Sequence, residues 1–236
     1  MPKTRPLIGA MIDVPDGPVH VREDGPVDAA PVLLVHGFAN SMHAYDRVTP
    51  LLSDEYRVIR VDLRGHGVAP RALDYSIAAY AADVVHTGAA DGEPWDLVIG
   101  HSLGGAAATV ASANARAWTR RLVLIDPGIH LADHDRQVVR NSQERAFADT
   151  SVAAVRAEHP YWHPHDIELK ALSAQQASRW AVEQTSVQNT PWDVREAAAR
   201  LTVPTRVIAS DPKVYSIFKG ALAEEVSRNP VVTMSV

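Results

Sequence analysis

No cysteine occurs among the 236 residues, which excludes a disulfide framework, a thiolate zinc site and a cysteine nucleophile, and leaves serine as the obvious nucleophile. An excess of positive charge is missing too. With 23 Lys and Arg against 28 Asp and Glu the net charge is −5, so the chain carries no basic footprint for nucleic acid. Long apolar runs are also lacking: Leu7 to Ile12 is too brief for a secretory core, and nothing approaches the length of a membrane span. These absences lead us to expect small-molecule chemistry in the cytoplasm, with no nucleic-acid or membrane partner. Oligomeric state leaves no trace in the sequence.

What is present suits one domain with an insertion, since 46% of the residues are hydrophobic and can bury a substantial core. Short Val- and Ile-rich runs alternate with helical stretches, predicting an α/β fold with a mostly parallel sheet covered by helices on both faces. An antiparallel pair, Leu7 to Val14 and Val19 to Glu23, opens the chain around the turn Pro15-Asp16-Gly17-Pro18. Strand Pro31 to His36, helix Ala44 to Leu52, strand Tyr56 to Leu63 and helix Ser76 to Ala90 follow, then a strand from Trp95, helix Leu103 to Trp118 and strand Arg121 to Asp126. The rhythm breaks over 129–192, where helical patterns and charges run without a convincing strand. This segment reads as a helical lid inserted into a core of residues 1–128 and 193–236. Strand Thr205 to Ser210, helix Val214 to Ser227 and strand Val231 to Val236 complete the core.

The segment Leu97-Val98-Ile99-Gly100-His101-Ser102-Leu103-Gly104-Gly105 carries the chemistry. An apolar strand runs into Gly-x-Ser-x-Gly and then into a helix of small residues, which is the build of a nucleophile elbow. Ser102 must take a sharp, strained turn there. The amides and dipole of the following helix point at the charge that develops beside it.

Three motifs, His36-Gly37-Phe38, Asp62-Leu63-Arg64-Gly65-His66-Gly67 and Gly100-His101-Ser102-Leu103-Gly104, together with the order of elements along nearly the whole chain, resemble the α/β-hydrolase superfamily. The resemblance implies a serine hydrolase of esterase or lactonase type, needing no cofactor and no metal. It implies that the amides of Phe38 and Leu103 receive the oxyanion. It also implies a triad acid after a late strand, where Asp211 is the better match and Asp126 the alternative, orienting a histidine rather than taking its proton. The Arg and His of the Asp62 to Gly67 loop are expected to stabilise the turn.

In the family the histidine follows the last strand, commonly in a Gly-His pair, and a C-terminal helix covers one face of the sheet. Here Val231 to Val236 closes the sequence, so neither has a counterpart, and part of the core is expected to lie open to water. The alternatives are a truncated form, a non-catalytic small-molecule binder that keeps the pocket, and a histidine supplied by a separate peptide or subunit. His101 is expected to pack beneath the elbow and His36 within the oxyanion loop, and with Trp162 they are candidates for the substrate pocket. The cluster His159-Pro160-Tyr161-Trp162-His163-Pro164-His165-Asp166 matches no standard zinc spacing. Its histidines read as surface residues, with Tyr161 and Trp162 anchoring the lid or lining an apolar pocket.

Overall fold

The computed structural model describes residues 9–13, 17–88, 92–211 and 213–236. Leu7, Ile8 and Val14 of the expected first strand, Pro15 and Asp16 of its turn, and Ala89 and Ala90 of the expected helix from Ser76 lie outside these residues. β1 (Gly9–Ile12) and β2 (Val19–Asp24) pair antiparallel, with Gly9 opposite Arg22. β3 (Pro31–Val35) is apolar throughout and almost wholly buried, as a strand covered on both faces must be.

The expected helix Ala44 to Leu52 is instead a 3-10 turn, Met42–Tyr45, followed by one short helix, α1 (Thr49–Leu52). Pro50 is the reason, because proline lacks an N–H and its ring clashes with the carbonyl four residues earlier, so it is tolerated only in a first turn. β4 (Arg57–Asp62), α2 (Ile77–His86), β5 (Leu97–His101), α3 (Leu103–Asn114) and β6 (Leu122–Ile125) keep the expected alternation.

The segment after β6 holds β7 (His130–Leu131), α4 (Asp133–Ala148), α5 (Val152–Glu158), α6 (Pro164–Gln176), α7 (Arg179–Gln188) and β8 (Trp192–Asp193). β7 and β8 pair antiparallel at its base, correcting the expectation that this segment holds no strand. Two-residue strands are too short to leave an alternating pattern in the sequence. α8 (Arg195–Ala199), which no periodicity announced, leads to β9 (Thr205–Ile208), α9 (Gly220–Val226) and β10 (Val232–Ser235).

The main sheet runs β1-β2-β4-β3-β5-β6-β9-β10 and is parallel from β4 onward. β4 lies on one side of β3 and β5 on the other, so the winding reverses between β3 and β5. Ligands of open α/β sheets bind beyond the carboxyl ends of the strands at such a switch point. The loop at His36 and the turn at Ser102 both begin there.

Alternation along the strands divides the core. Leu33, Val35, Val98, Leu122, Leu124 and Val207 face α2 and α3, where Ala106, Ala107 and Ala108 are fully buried. Burying each large aliphatic side chain is worth roughly 1.5–3 kcal/mol. On the opposite face Val32, Leu34 and Val58 pack on Tyr45, whose hydroxyl donates to Val35 O at 2.9 Å. Farther along that face Leu97, Ile99, Val123 and Ile125 are only half-buried, and Ile208 is 40% exposed.

The helices of the segment after β6 are not equally fastened. Ser178 N donates to Gly65 O at 2.9 Å, Tyr80 and Thr185 share a hydroxyl hydrogen bond of 2.7 Å, and Asn189 accepts from Ile77 N and donates to Tyr75 O. α7 is thereby stitched to α2 and the loop before it. α4, by contrast, has no buried residue, in keeping with a solvated face over Arg136 to Arg145. Among the described residues, no helix is long and apolar enough to cross a membrane.

Candidate active site

Ser102 lies between the last residue of β5 and the first of α3 with φ +50° and ψ −112°, a backbone conformation that side-chain-bearing residues rarely adopt. The surrounding contacts hold it there. A Cβ on Gly104 would collide with the backbone carbonyls of Val35 and His36, so glycine lets α3 begin directly against the end of β3. A Cβ on Gly37 would lie 2.5 Å from His101 Nδ1 and 3.2 Å from Ser102 Cβ, so that loop can close onto the elbow only with glycine there. Ser102 N donates to Ile125 O at 3.0 Å, and its carbonyl accepts from Ala106 N and Gly128 N, each at 3.0 Å.

The hydroxyl of Ser102 makes no hydrogen bond among the described residues. Neither do the amides of Phe38 and Leu103, the latter being the first residue of α3 and therefore without an intrahelical acceptor. Unengaged backbone amides are donors of the kind that can receive a developing negative charge.

His36 is fully buried, with Nδ1 donating to Gly37 O at 2.7 Å and Nε2 accepting from Leu63 N at 3.1 Å. Nε2 thereby joins the end of β3 to the end of β4, and Nδ1 braces the loop that follows β3. His101, at the end of β5, borders a cavity of about 400 Å³ together with Tyr45, Ile125, Trp162 and Lys170. Trp162 therefore shares that cavity, while Tyr161 is 99% exposed and anchors nothing. His159 stacks on Trp162 at 3.9 Å, His163 Nδ1 accepts from His165 N at the start of α6, and Asp166 pairs with Arg47 at 2.6 Å.

The two candidate acids sit at the ends of neighbouring strands in different surroundings. Asp126, with φ +38°, is buried, and its carboxylate accepts from Ser216 Oγ at 2.5 Å, Ile217 N at 3.2 Å and Phe218 N at 3.3 Å. These donors, taken out of any helix, explain why α9 starts at Gly220 rather than at Val214. Asp211 is exposed and accepts from Lys213 N at 2.9 Å, turning its own loop. Among the described residues neither carboxylate is hydrogen-bonded to a histidine.

The loop after β4 is structural, as its turn residues suggested. Asp62 accepts from Met42 N at 2.8 Å and Val68 N at 3.2 Å and pairs with His20 at 2.9 Å. Arg64 binds Asp83 of α2 through both branches, at 2.5 and 2.6 Å. His66 is fully buried, its Nδ1 donating to Arg64 O at 3.0 Å, and burial with the neighbouring His36 pulls its pKa from 6.5 to about 3.

That shift makes stability acid-sensitive. Below pH 6.5 the unfolded chain takes up a proton at this position and the folded one does not, so stability present above 6.5 is lost as pH falls toward 3. At about 1.4 kcal/mol per unit, His66 alone removes about 2 kcal/mol by pH 5. His36, also lowered chiefly by burial, acts in the same direction. Urea midpoints at pH 7.5 and 5 should differ accordingly, and an unchanged midpoint would refute the account.

A model of the alpha/beta hydrolase family matches residues 32–234, a span that includes the switch point, the turn at Ser102 and helices α4 to α7. The chain belongs to the alpha/beta hydrolase family. Among curated relatives, it is 31% identical to esterase YbfF of Escherichia coli (strain K12) over 136 residues, 55% of this chain and 54% of that protein. It is 33% identical to a serine hydrolase-like protein of Danio rerio over 118 residues, 48% of this chain and 36% of that one. The matches thus span about half or less of these two relatives. Among solved structures, an esterase of Exiguobacterium antarcticum superposes with a TM-score of 0.78 at 20% identity, covering 97% of this chain and 90% of the other. That likeness shows the fold of an alpha/beta hydrolase and no more.

Proposed function

We propose that this alpha/beta hydrolase is a serine hydrolase that cleaves ester-type bonds of a small, mostly apolar molecule through an acyl-enzyme on Ser102. The observation that carries the reading is the strained Ser102 at the strand–helix junction, with the unengaged amides of Phe38 and Leu103 beside it. The esterase and serine hydrolase-like relatives support it. In this mechanism an imidazole removes the proton of Ser102, the oxygen attacks the acyl carbon, and the two amides receive the oxyanion. The alcohol leaves with the proton, and water then releases the acid. Asp211 or Asp126 would orient the imidazole, and residues 129–192 would act as a lid over the site. No metal or organic cofactor enters these steps.

A second reading, a small-molecule binder without turnover, is favoured by one observation: the Ser102 hydroxyl has no hydrogen-bonded histidine among the described residues. Intact mass after incubation with a fluorophosphonate separates the two. An adduct mapped to Ser102 and absent from Ser102→Ala is the expected result. A folded protein that takes no label would sink the hydrolase reading for this chain and favour the binder.

A further inference from the structure

The cavity bordered by His101, the residue before Ser102, contains one feature that ester cleavage does not require, the ammonium of Lys170. α6 crosses the 3-10 turn, where Ser173 Oγ meets Ser41 Oγ at 2.7 Å, and directs Lys170 back to the loop after β3. There Nζ donates to Ala39 O at 2.9 Å, one residue beyond Phe38. Ala39 is itself held at φ +49°, so the position of the ammonium is tied to that of the Phe38 loop.

An ammonium has three donors, and this one spends a single donor on a neutral carbonyl. Among the described residues Lys170 forms no ion pair. Asp166, on the same helix, is committed to Arg47, Asp46 to Arg60 and His43, and Glu158 to Arg145. The rest of the cavity wall near it is largely apolar, including Tyr45, Val48, Ile125, Trp162 and Leu169. Burial lowers the pKa of Lys170 to about 8, which leaves it mostly charged at neutral pH. Glu158 acts on this ammonium without forming an ion pair with it, and a counter-charge in direct contact would offset more of the cost of its partial burial.

We infer that the cavity binds a small acyl compound bearing a carboxylate, whose charge is received by Lys170 while its apolar body lies against Trp162, Leu169 and Ile125. One lysine with free donors suits a singly charged carboxylate better than a phosphate dianion, which would call for more positive charge than this cavity provides. The assignment of that compound as a substrate rests on the hydrolase reading; its binding does not.

The test is calorimetric titration at pH 7 with 4-phenylbutyrate and with its amide, which match in shape and differ in charge. The carboxylate is expected to bind about tenfold tighter than the amide, a preference retained by Lys170→Arg and lost in Lys170→Met. Equal affinity in the unaltered protein, no binding of either compound, or a preference that survives Lys170→Met would overturn the inference. The comparison within the unaltered protein holds even if a variant fails to fold. Because titration needs no turnover, the two readings fail separately. A protein that ignores fluorophosphonate yet prefers the carboxylate loses only the hydrolase reading, and one labelled at Ser102 without that preference loses only this one.

Discussion

Gly104→Ala is expected to cost about 3 kcal/mol of stability and to abolish fluorophosphonate labelling of Ser102, the larger part of both effects arising from a single methyl group. The new Cβ would meet the carbonyl oxygens of Val35 and His36, and these belong to the backbone at the end of β3. A flexible side chain could swing aside; a strand fixed by β4 and β5 on its two edges cannot. The start of α3 must therefore move away from β3, taking Leu103 N and the strained Ser102 with it. Gly220→Ala is the control. Its φ of +55° makes a side chain unfavourable, but no atom lies within 4 Å of the added Cβ, so a loss of about 1 kcal/mol with labelling intact is expected. Urea midpoints and intact mass on both variants decide the matter. Full labelling of Gly104→Ala would show that the elbow does not depend on this contact.

The elbow was legible because its requirements are local. A strand, a residue forced to positive φ and glycines for close approach all fall within Leu97 to Gly105, and periodicity supplies the rest. The same locality exposed the alternation of β3, β4, β5 and β6. What escaped depends on groups distant in sequence. Nothing around Val214 announces that Ser216, Ile217 and Phe218 donate to Asp126, some ninety residues earlier, so the helix there reads as longer than it is. Lys170 looks like one more charge on a helix until the fold sets it 2.9 Å from Ala39 O. Pro50 was a legible signal, since a proline in the middle of Ala44 to Leu52 marks the break that the structure contains. Asp211 and Asp126 illustrate a different limit. Chain order places both after late strands, and only the fold distinguishes an exposed carboxylate that turns its own loop from a buried one ringed by donors.

Asp83→Leu is expected to destabilise the protein by about 3–5 kcal/mol, because Arg64 is 4% exposed and would lose the carboxylate that it binds through both branches, in an interior that hydrates it poorly. The pair is bidentate, and its loss reaches beyond α2. Arg64 also donates to Asp74 O at 2.7 Å, and the neighbouring Gly65 carbonyl accepts from Ser178 N, the point at which α7 is fastened to the core. The destabilisation should therefore come with easier proteolysis after Arg179. Ion pairs of this kind hold their geometry more than they add net energy, since both charges must first be stripped of water. The double variant Arg64→Met, Asp83→Leu removes both charges together and should recover most of the loss, leaving a coupling energy of about 2 kcal/mol or more in a double-mutant cycle. Equal and additive losses in the two single variants, with no recovery in the double, would mean that packing around Arg64 rather than its charge holds this corner of the fold. The pair lies where α7 is fastened to the loop after β4 and not at Ser102, so labelling of the folded fraction should persist in all three variants.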